Sequence, residues 1–168
     1  MHIASGHRRK YVTTATVAAL VCGAAVLGIT SASADTSTTV YKVGNTVSDS
    51  TGNATLGLFY NSNCGGATAD FYDSVPNYAG YTTLTGSGTQ QFETTYIYIF
   101  ENRDSANGHG VAVKNNAASL RNYGAATYSL YYNSGYSGHS QRFLGMGGTC
   151  VNFDSTLKNN NASQQQTN

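Results

Sequence analysis

The sequence has no tryptophan, one proline and few charged side chains, which make up 10% of its 168 residues. A helical bundle needs Leu, Ala, Glu and Lys in quantity, so this shortage of charge argues against one. Tyrosine and glycine are plentiful instead, with 13 and 19 residues, and Asn, Ser and Thr are frequent. This composition favours short strands joined by Gly and Asn turns, so we predict an all-β fold.

The N-terminal part of the chain has the features of an export signal. Basic residues at positions 7–10 precede an apolar run from about Val17 to Ile29, and a small-x-small cleavage pattern follows at 32–34. The apolar run is shorter than the roughly 20 residues that span a bilayer. We predict a signal peptide over residues 1–34 and a secreted chain, residues 35–168, that is not membrane-bound. Arg8-Arg9 leaves both Sec and twin-arginine export open.

Cleavage would also change the charge and the cysteine content. Six basic residues would face eight acidic ones, a net charge near −2 that argues against nucleic-acid binding. Cys64 and Cys150 would remain, and two thiols in a small exported domain usually pair. We therefore predict a disulfide between them, with two separate buried thiols as the alternative.

Segments of alternating polarity bounded by Gly, Asn or Ser predict strands in the mature chain. They lie at Leu56–Tyr60, Ala69–Tyr72, Thr94–Phe100, Thr127–Tyr132 and Gln141–Leu144. Residues 35–54 read as a polar N-terminal arm with one edge strand at Val40–Val43. Residues 166–168 read as a disordered tail because the C-terminus is a run of Asn, Gln and Thr. The folded domain is therefore predicted to span residues 55–165.

An internal repeat organises this domain. Leu58–Gly66 recurs as Leu130–Gly138 at an offset of 72, whereas Lys114–Ser119 recurs as Lys158–Ser163 at an offset of 44. The difference indicates an insertion of about 28 residues in the first copy, between positions 78 and 110. Each copy is too short to bury its own apolar face, so we predict two copies packed as a pair of sheets.

The repeated segments resemble a known family. Tyr131–Gly138 follows the aromatic-x4-aromatic-x-Gly opening of a βγ-crystallin Greek key, whose glycine permits a positive φ. Phe59–Gly66 departs from this pattern by placing Cys64 at the second aromatic position. The paired Tyr-Asn-Ser and Lys-Asn-Asn-x-Ala-Ser elements are similar to secreted bacterial proteins of a crystallin-like peptidase-inhibitor family (inhibitor family thirty-six). The similarity covers roughly residues 56–165 without the insertion.

This resemblance implies a βγ-crystallin-like double Greek-key sandwich with an insertion in the first motif. It also implies a monomeric inhibitor of secreted peptidases, above all thermolysin-like metalloproteases, that requires no cofactor. An inhibitor needs a rigid loop that enters the protease cleft at little cost in ordering entropy. The Gly-rich segment 145–151 is the candidate loop, with Thr149, Cys150 and Val151 as its contact residues. The alternative is that this segment only connects two strands.

The second repeated element matches the calcium turns of crystallin-type sites, in which two such turns face each other. The candidate ligands are Asn115, Asn116, Ser119, Asn159, Asn160 and Ser163. Amide, hydroxyl and carbonyl oxygens suit calcium, but neither turn contains a carboxylate. We therefore expect weak calcium binding or a purely structural turn. A calcium-binding crystallin-like module without inhibitory activity is the alternative function.

Other chemistry has little support in the sequence. The mature chain has two histidines, His109 and His139, and neither belongs to a zinc-binding or nucleophile-elbow pattern. Asp70 and Asp73 are three residues apart in a strand-to-turn region, which gives no reason for a raised pKa. We therefore expect a protein that is not an enzyme. The many Tyr and Asn residues also suit a glycan site, but a Trp-free β-protein needs its tyrosines for the core.

Overall fold

The structure is a computed structural model that describes residues 35–43, 55–87, 90–101, 105–145 and 147–167. The predicted signal peptide and residues 44–54 of the predicted arm lie outside these ranges. Regular structure within them consists of β-strands and one short 3₁₀ turn, Ser62–Cys64, so the all-β prediction is confirmed. No helix in the described ranges is long and apolar enough to cross a membrane.

The described residues contain ten strands. They are β1 Asp35–Val43, β2 Leu56–Asn61, β3 Gly65–Phe71, β4 Tyr81–Ser87, β5 Gln90–Tyr98, β6 Ser119–Asn122, β7 Thr127–Asn133, β8 Ser137–Phe143, β9 Cys150–Asn152 and β10 Ser163–Thr167. Their sheet orders are β1-β5-β4, β10-β7-β8 and β3-β2-β6-β9. Every pairing in the last two sheets is antiparallel.

The chain divides into two compact units, and the smaller one is a three-stranded sheet. Its described residues are 35–41, 82–87 and 90–96, from β1, β4 and β5. The hydroxyl oxygens of Thr82 and Thr95 lie 3.0 Å apart, and most β4 side chains, including Leu84, are exposed. The predicted insertion between positions 78 and 110 contains β4 and β5.

The larger unit comprises the described parts of 42–81 and 97–168 and contains the hydrophobic core. Alternate residues of β2 and β7 point into this core, namely Leu56 and Leu58 on one strand and Tyr128 and Leu130 on the other. The core is completed by Phe71, Val75, Tyr78, Phe100, Leu120, Phe143, Phe153 and Leu157 among others. Burial of one such large apolar side chain stabilises the fold by about 1.5–3 kcal/mol.

The two copies of the repeat form hairpins with the same register. Leu58 of β2 lies opposite Ala69 of β3, and Leu130 of β7 lies opposite Gln141 of β8. These pairs are related by the sequence offset of 72, and both ladders contain a register shift at the same offset. The strand pairing of the two hairpins therefore follows the repeat of Leu58–Gly66 as Leu130–Gly138.

The strands that return after each hairpin also correspond. Ser119 of β6 lies opposite Phe59 of β2, and Ser163 of β10 lies opposite Tyr131 of β7. The offset of 44 in the second sequence element thus places β6 and β10 at equivalent positions in their sheets.

Each copy also sends a segment to the sheet of the other copy. β9 follows the second hairpin in the chain, but it pairs with β6 at the edge of the first sheet. Val75 follows the first hairpin, but it forms a bridge with Gln164 of the second sheet. The two sheets are therefore linked by exchanged segments as well as by packing.

Two predicted boundaries are wrong. The tail expected at 166–168 is part of a strand up to Thr167, because β10 pairs with β7 along its whole length. The N-terminal strand begins at Asp35, five residues before the predicted edge strand. Both strands have polar side chains and pair through their backbones, so hydrophobic alternation does not mark them.

Candidate functional site

The predicted disulfide is present. Cys64 ends the 3₁₀ turn between β2 and β3, and Cys150 begins β9. Their Cα atoms are 6.0 Å apart and their sequence separation is 86 residues, so the alternative of two separate thiols is wrong. The bond fastens one end of the candidate loop to the first hairpin, across the sheet that contains both.

The candidate inhibitory loop connects β8 to β9. Thr149 is exposed, whereas Gly147 and Gly148 have φ values of 56° and 84°. Glycine adopts this left-handed region without steric cost, so the loop can turn sharply here. The Gly148 N–H donates to the Asn122 carbonyl over 2.8 Å, which ties the loop to β6.

The side chain of Asn122 holds the same loop from the inside. It is fully buried, and its Nδ2 donates to the carbonyls of Ala126 (2.7 Å) and Leu144 (3.0 Å). Its Oδ1 accepts a hydrogen bond from the Gly124 N–H. One amide therefore links the β6–β7 connection to the start of the β8–β9 loop. An Asn-Tyr-Gly turn is the one feature of the sequence that indicates this role.

Two large apolar side chains are exposed on these linked loops. Tyr123 is 48% exposed and Leu144 is 56% exposed. A Cβ at Gly148 would lie 3.1 Å from the Tyr123 ring, so the ring lies directly beside the loop. Both side chains therefore offer apolar surface on the loops that Asn122 links. We call residues 144, 145 and 147–149, together with Tyr123, the loop surface.

Val151 is not part of the loop surface. It lies in β9 opposite Leu120, and its half-buried side chain packs against the core. Cys150 is half-buried and forms the disulfide. Of the three predicted contact residues, Thr149 alone is an exposed loop residue, while the other two belong to the strand that supports the loop. A side chain already packed on its own core is not free to fill a protease pocket.

The two predicted calcium turns lie against each other. The Asn115 N–H donates to the Asn161 carbonyl over 2.8 Å, and the Asn159 N–H donates to the Ala117 carbonyl over 2.9 Å. These contacts are equivalent under the offset of 44, and Asn115 and Asn159 share a positive φ of about 60°. The structure therefore brings the two turns together.

The serine hydroxyls of these turns have another role. Ser119 Oγ is buried, donates to the Asn61 carbonyl and accepts from the Cys64 N–H. Ser163 Oγ makes the same pair of bonds with Asn133 and Tyr136 in the second copy. Each hydroxyl therefore donates one hydrogen bond and accepts another, and both bonds stabilise the folded hairpin.

The two turns also contain none of the carboxylates that usually bind calcium. Among the described residues, no group of three or more His, Cys, Asp or Glu side chains could hold a metal. The remaining candidate ligands are Asn115, Asn116, Asn159 and Asn160. Asn116 uses its Nδ2 to bond the Ala112 and Lys114 carbonyls, which is a turn-forming role.

A polar groove of about 550 Å³ lies between the first hairpin turn and the second Lys-Asn-Asn element. Its lining residues are Tyr60, Asn61, Ser62, Asn116, Ala118, Lys158 and Asn159. We call it the Lys158 groove. The other lining residues belong to the same repeated elements as the predicted calcium ligands Asn116 and Asn159, but the motifs do not indicate that these residues form a groove.

No sequence motif indicates the contact between the exposed side chains of His139 and Asp154. His139 Nε2 lies 2.8 Å from Asp154 Oδ2, and both side chains are partly exposed. The Asp154 Oδ1 accepts the N–H groups of Thr156 and Leu157 and closes the turn after β9. The hydrogen bond from His139, aided by these backbone donors, lowers the pKa of Asp154 below its usual value.

We expect Asp154→Asn to lower stability at neutral pH but not in acid. A depressed pKa stabilises the fold above the ordinary Asp pKa of about 4, and this contribution is lost as pH falls through the lower folded value. The effect should stay below about 1 kcal/mol because the pair is exposed. Melting temperatures of both proteins between pH 7 and pH 2 would check this. A difference between the two melting temperatures that is the same at pH 2 as at pH 7 would contradict this prediction.

Comparisons of the chain with protein-family models, with curated proteins and with solved structures found no match. The loop surface, the paired turns and the Lys158 groove are therefore interpreted from their own geometry and from the resemblance of the repeated motifs.

Proposed function

We propose that the mature chain is a secreted peptidase inhibitor, directed at thermolysin-like metalloproteases, and that the loop surface is its contact region. The observation that carries the proposal is the restraint on this loop. Asn122 holds its start, a backbone bond from Gly148 holds its middle, and the disulfide at Cys150 holds its end. A loop restrained in this way loses little conformational entropy when it enters a cleft.

We also propose that the larger unit is a double Greek key of the βγ-crystallin type. The equal registers of the two hairpins support this, as do the equivalent bonds of Ser119 and Ser163. The exchange of β9 and Val75 between the sheets is a further argument, because a Greek key returns its chain to a non-adjacent strand. The insertion in the first motif would then be the β4–β5 hairpin.

The chemistry of the loop surface suits a protein partner. Tyrosine is enriched among the side chains that dominate binding energy, and here Tyr123 and Leu144 are both exposed on the two loops that Asn122 links. A tight protease–inhibitor contact needs about 800 Å² from each partner, which a pair of linked loops can supply. The expected monomer leaves this surface available.

The test is a titration of the mature protein against a thermolysin-like metalloprotease and a serine protease. We expect inhibition of the metalloprotease, and a loss of at least about 100-fold in affinity for Leu144→Asp. The new carboxylate would have to be desolvated in an apolar contact. Leu84→Asp is the matched control, because Leu84 is also exposed, at 64%, but lies in the smaller unit. It should inhibit as well as the original protein.

Absence of inhibition of any secreted protease at micromolar protein would overturn the proposal. Equal losses for Leu144→Asp and Leu84→Asp would exclude the loop surface as the contact. The alternative, a calcium-binding module, is favoured by the paired Asn115 and Asn159 turns. It predicts a melting temperature that rises in millimolar calcium without any inhibition.

A further inference from the structure

The Lys158 groove is built like a ligand site and is not used by the proposed inhibitor contact. Its volume falls within the range of about 300–1,000 Å³ found for small-molecule sites. Buried Ala118 lies among its lining residues, and Tyr60, Asn61, Ser62 and Asn116 are half-buried. Lys158 and Asn159 are the exposed members of the lining.

Several polar groups converge on the groove without internal partners. Within the described residues, the side chains of Asn61, Ser62, Asn159 and Lys158 make no hydrogen bond. Most side chains of this type in the same unit are engaged, as Asn122 and Ser163 are. A lining of unengaged amide, hydroxyl and ammonium groups can donate to and accept from a polyhydroxylated ligand.

The aromatic member of the groove is held in a fixed position. The Tyr60 ring packs edge-on against Phe100, with ring centroids 5.7 Å apart. Gly108 lies against the same ring, and a Cβ there would come within 2.1 Å of it. The ring can therefore offer a preformed apolar surface to a ligand, beside its hydroxyl group.

The charge of the groove selects against cations. Its lining contains one ammonium group, that of Lys158, and no carboxylate. The equivalent lysine of the first copy, Lys114, is not part of the lining, although the two lysines correspond under the offset of 44. Lys114 is therefore a comparable lysine outside the groove.

We propose that the Lys158 groove binds an acidic saccharide, a short sugar chain that carries a carboxylate. Lys158 would pair with the carboxylate, the amides of Asn61 and Asn159 with the sugar hydroxyls, and the Tyr60 ring with an apolar sugar face. The ammonium group supplies the preference for a charged sugar over a neutral one, and the amides supply the preference for a sugar over a simple anion.

Calorimetric titration of the mature protein with trigalacturonate tests this, with a neutral galactose trisaccharide and inorganic phosphate as comparison probes. We expect trigalacturonate to bind at least about tenfold more tightly than either. Lys158→Gln should weaken its binding by about tenfold, whereas Lys114→Gln should change it by less than about twofold. Both lysines are on turns and their substitution leaves the core intact. Asn159→Gly, which keeps the positive φ of its turn, changes a second exposed position and should also weaken binding.

Three outcomes would overturn the proposal. The first is no binding of trigalacturonate at millimolar concentration. The second is phosphate binding as tight as that of the saccharide, which would make the groove a simple anion site. The third is an equal effect of Lys158→Gln and Lys114→Gln, which would show general charge attraction. None of these results depends on whether the loop surface inhibits a protease.

Discussion

The double variant Cys64→Ala, Cys150→Ala is expected to lose about 3–4.5 kcal/mol of unfolding free energy. The bond joins residues 86 apart in sequence, and in the chain-entropy model a loop of this length restricts the unfolded chain by about 4.5 kcal/mol. The melting temperature should fall by roughly 10–15 °C for a domain of this size. Denaturant unfolding of the variant and of the original protein would measure the difference.

The original protein under reducing conditions is the control for the two alanine side chains. It should lose a similar free energy, because the bond is absent in both cases. A loss below about 1 kcal/mol in both would contradict the loop-closure argument. If the loop surface is the inhibitory contact, the variant should also inhibit less well, because the disulfide no longer fixes the end of the loop.

The features that the sequence predicted well are those that follow from the internal repeat and from the number of cysteines. The offset of 72 placed Leu58 and Leu130 at the same point of two hairpins, and the structure gives them the same register. The disulfide followed from two cysteines in an exported chain. In both cases a pattern within the sequence is enough to predict which strands or which cysteines pair, because the prediction does not depend on how distant residues pack.

The features that escaped prediction depend on partners far away in sequence. The Asn-Asn-x-x-Ser turns look the same whether the serine binds calcium or holds a hairpin. Ser119 takes the second role because the Asn61 carbonyl and the Cys64 N–H, 58 and 55 residues away, lie beside it. Buried backbone groups need such partners, and a sequence motif does not show where they will be.

A bulge in a strand also makes predictions of side-chain burial from alternating polarity fail beyond it. Simple alternation along β7 would place Tyr128, Leu130 and Tyr132 on one buried side, and the first two are fully buried. The register shifts between Tyr131 and Asn133, so Tyr132 is 43% exposed. A bulge adds one residue to a strand and changes the direction of the side chains beyond it.

Asn122→Ala is expected to lower the unfolding free energy by about 2–4 kcal/mol and to weaken protease inhibition. The variant loses two donated hydrogen bonds and one accepted bond, and it leaves the carbonyls of Ala126 and Leu144 without their donor. A buried polar group left without a partner costs about 1–3 kcal/mol. Denaturant unfolding measures the first effect, and inhibition constants measured well below the melting temperature give the second.

Asn161→Ala separates a general loss of stability from a loss of loop order. Asn161 is also fully buried, and its Nδ2 donates to the carbonyls of Ala117 and Leu157 over 2.6 and 2.9 Å. Both variants should therefore be destabilised to a similar degree. Of the two variants, Asn122→Ala alone should inhibit about tenfold less well, because Asn122 bonds the start of the loop at Leu144 and Asn161 does not. A tenfold loss corresponds to about 1.4 kcal/mol, the free energy of ordering the released loop on binding. Equal inhibition by the two variants would mean that the order of this loop does not determine binding, and the rigid-loop mechanism would then have to be abandoned.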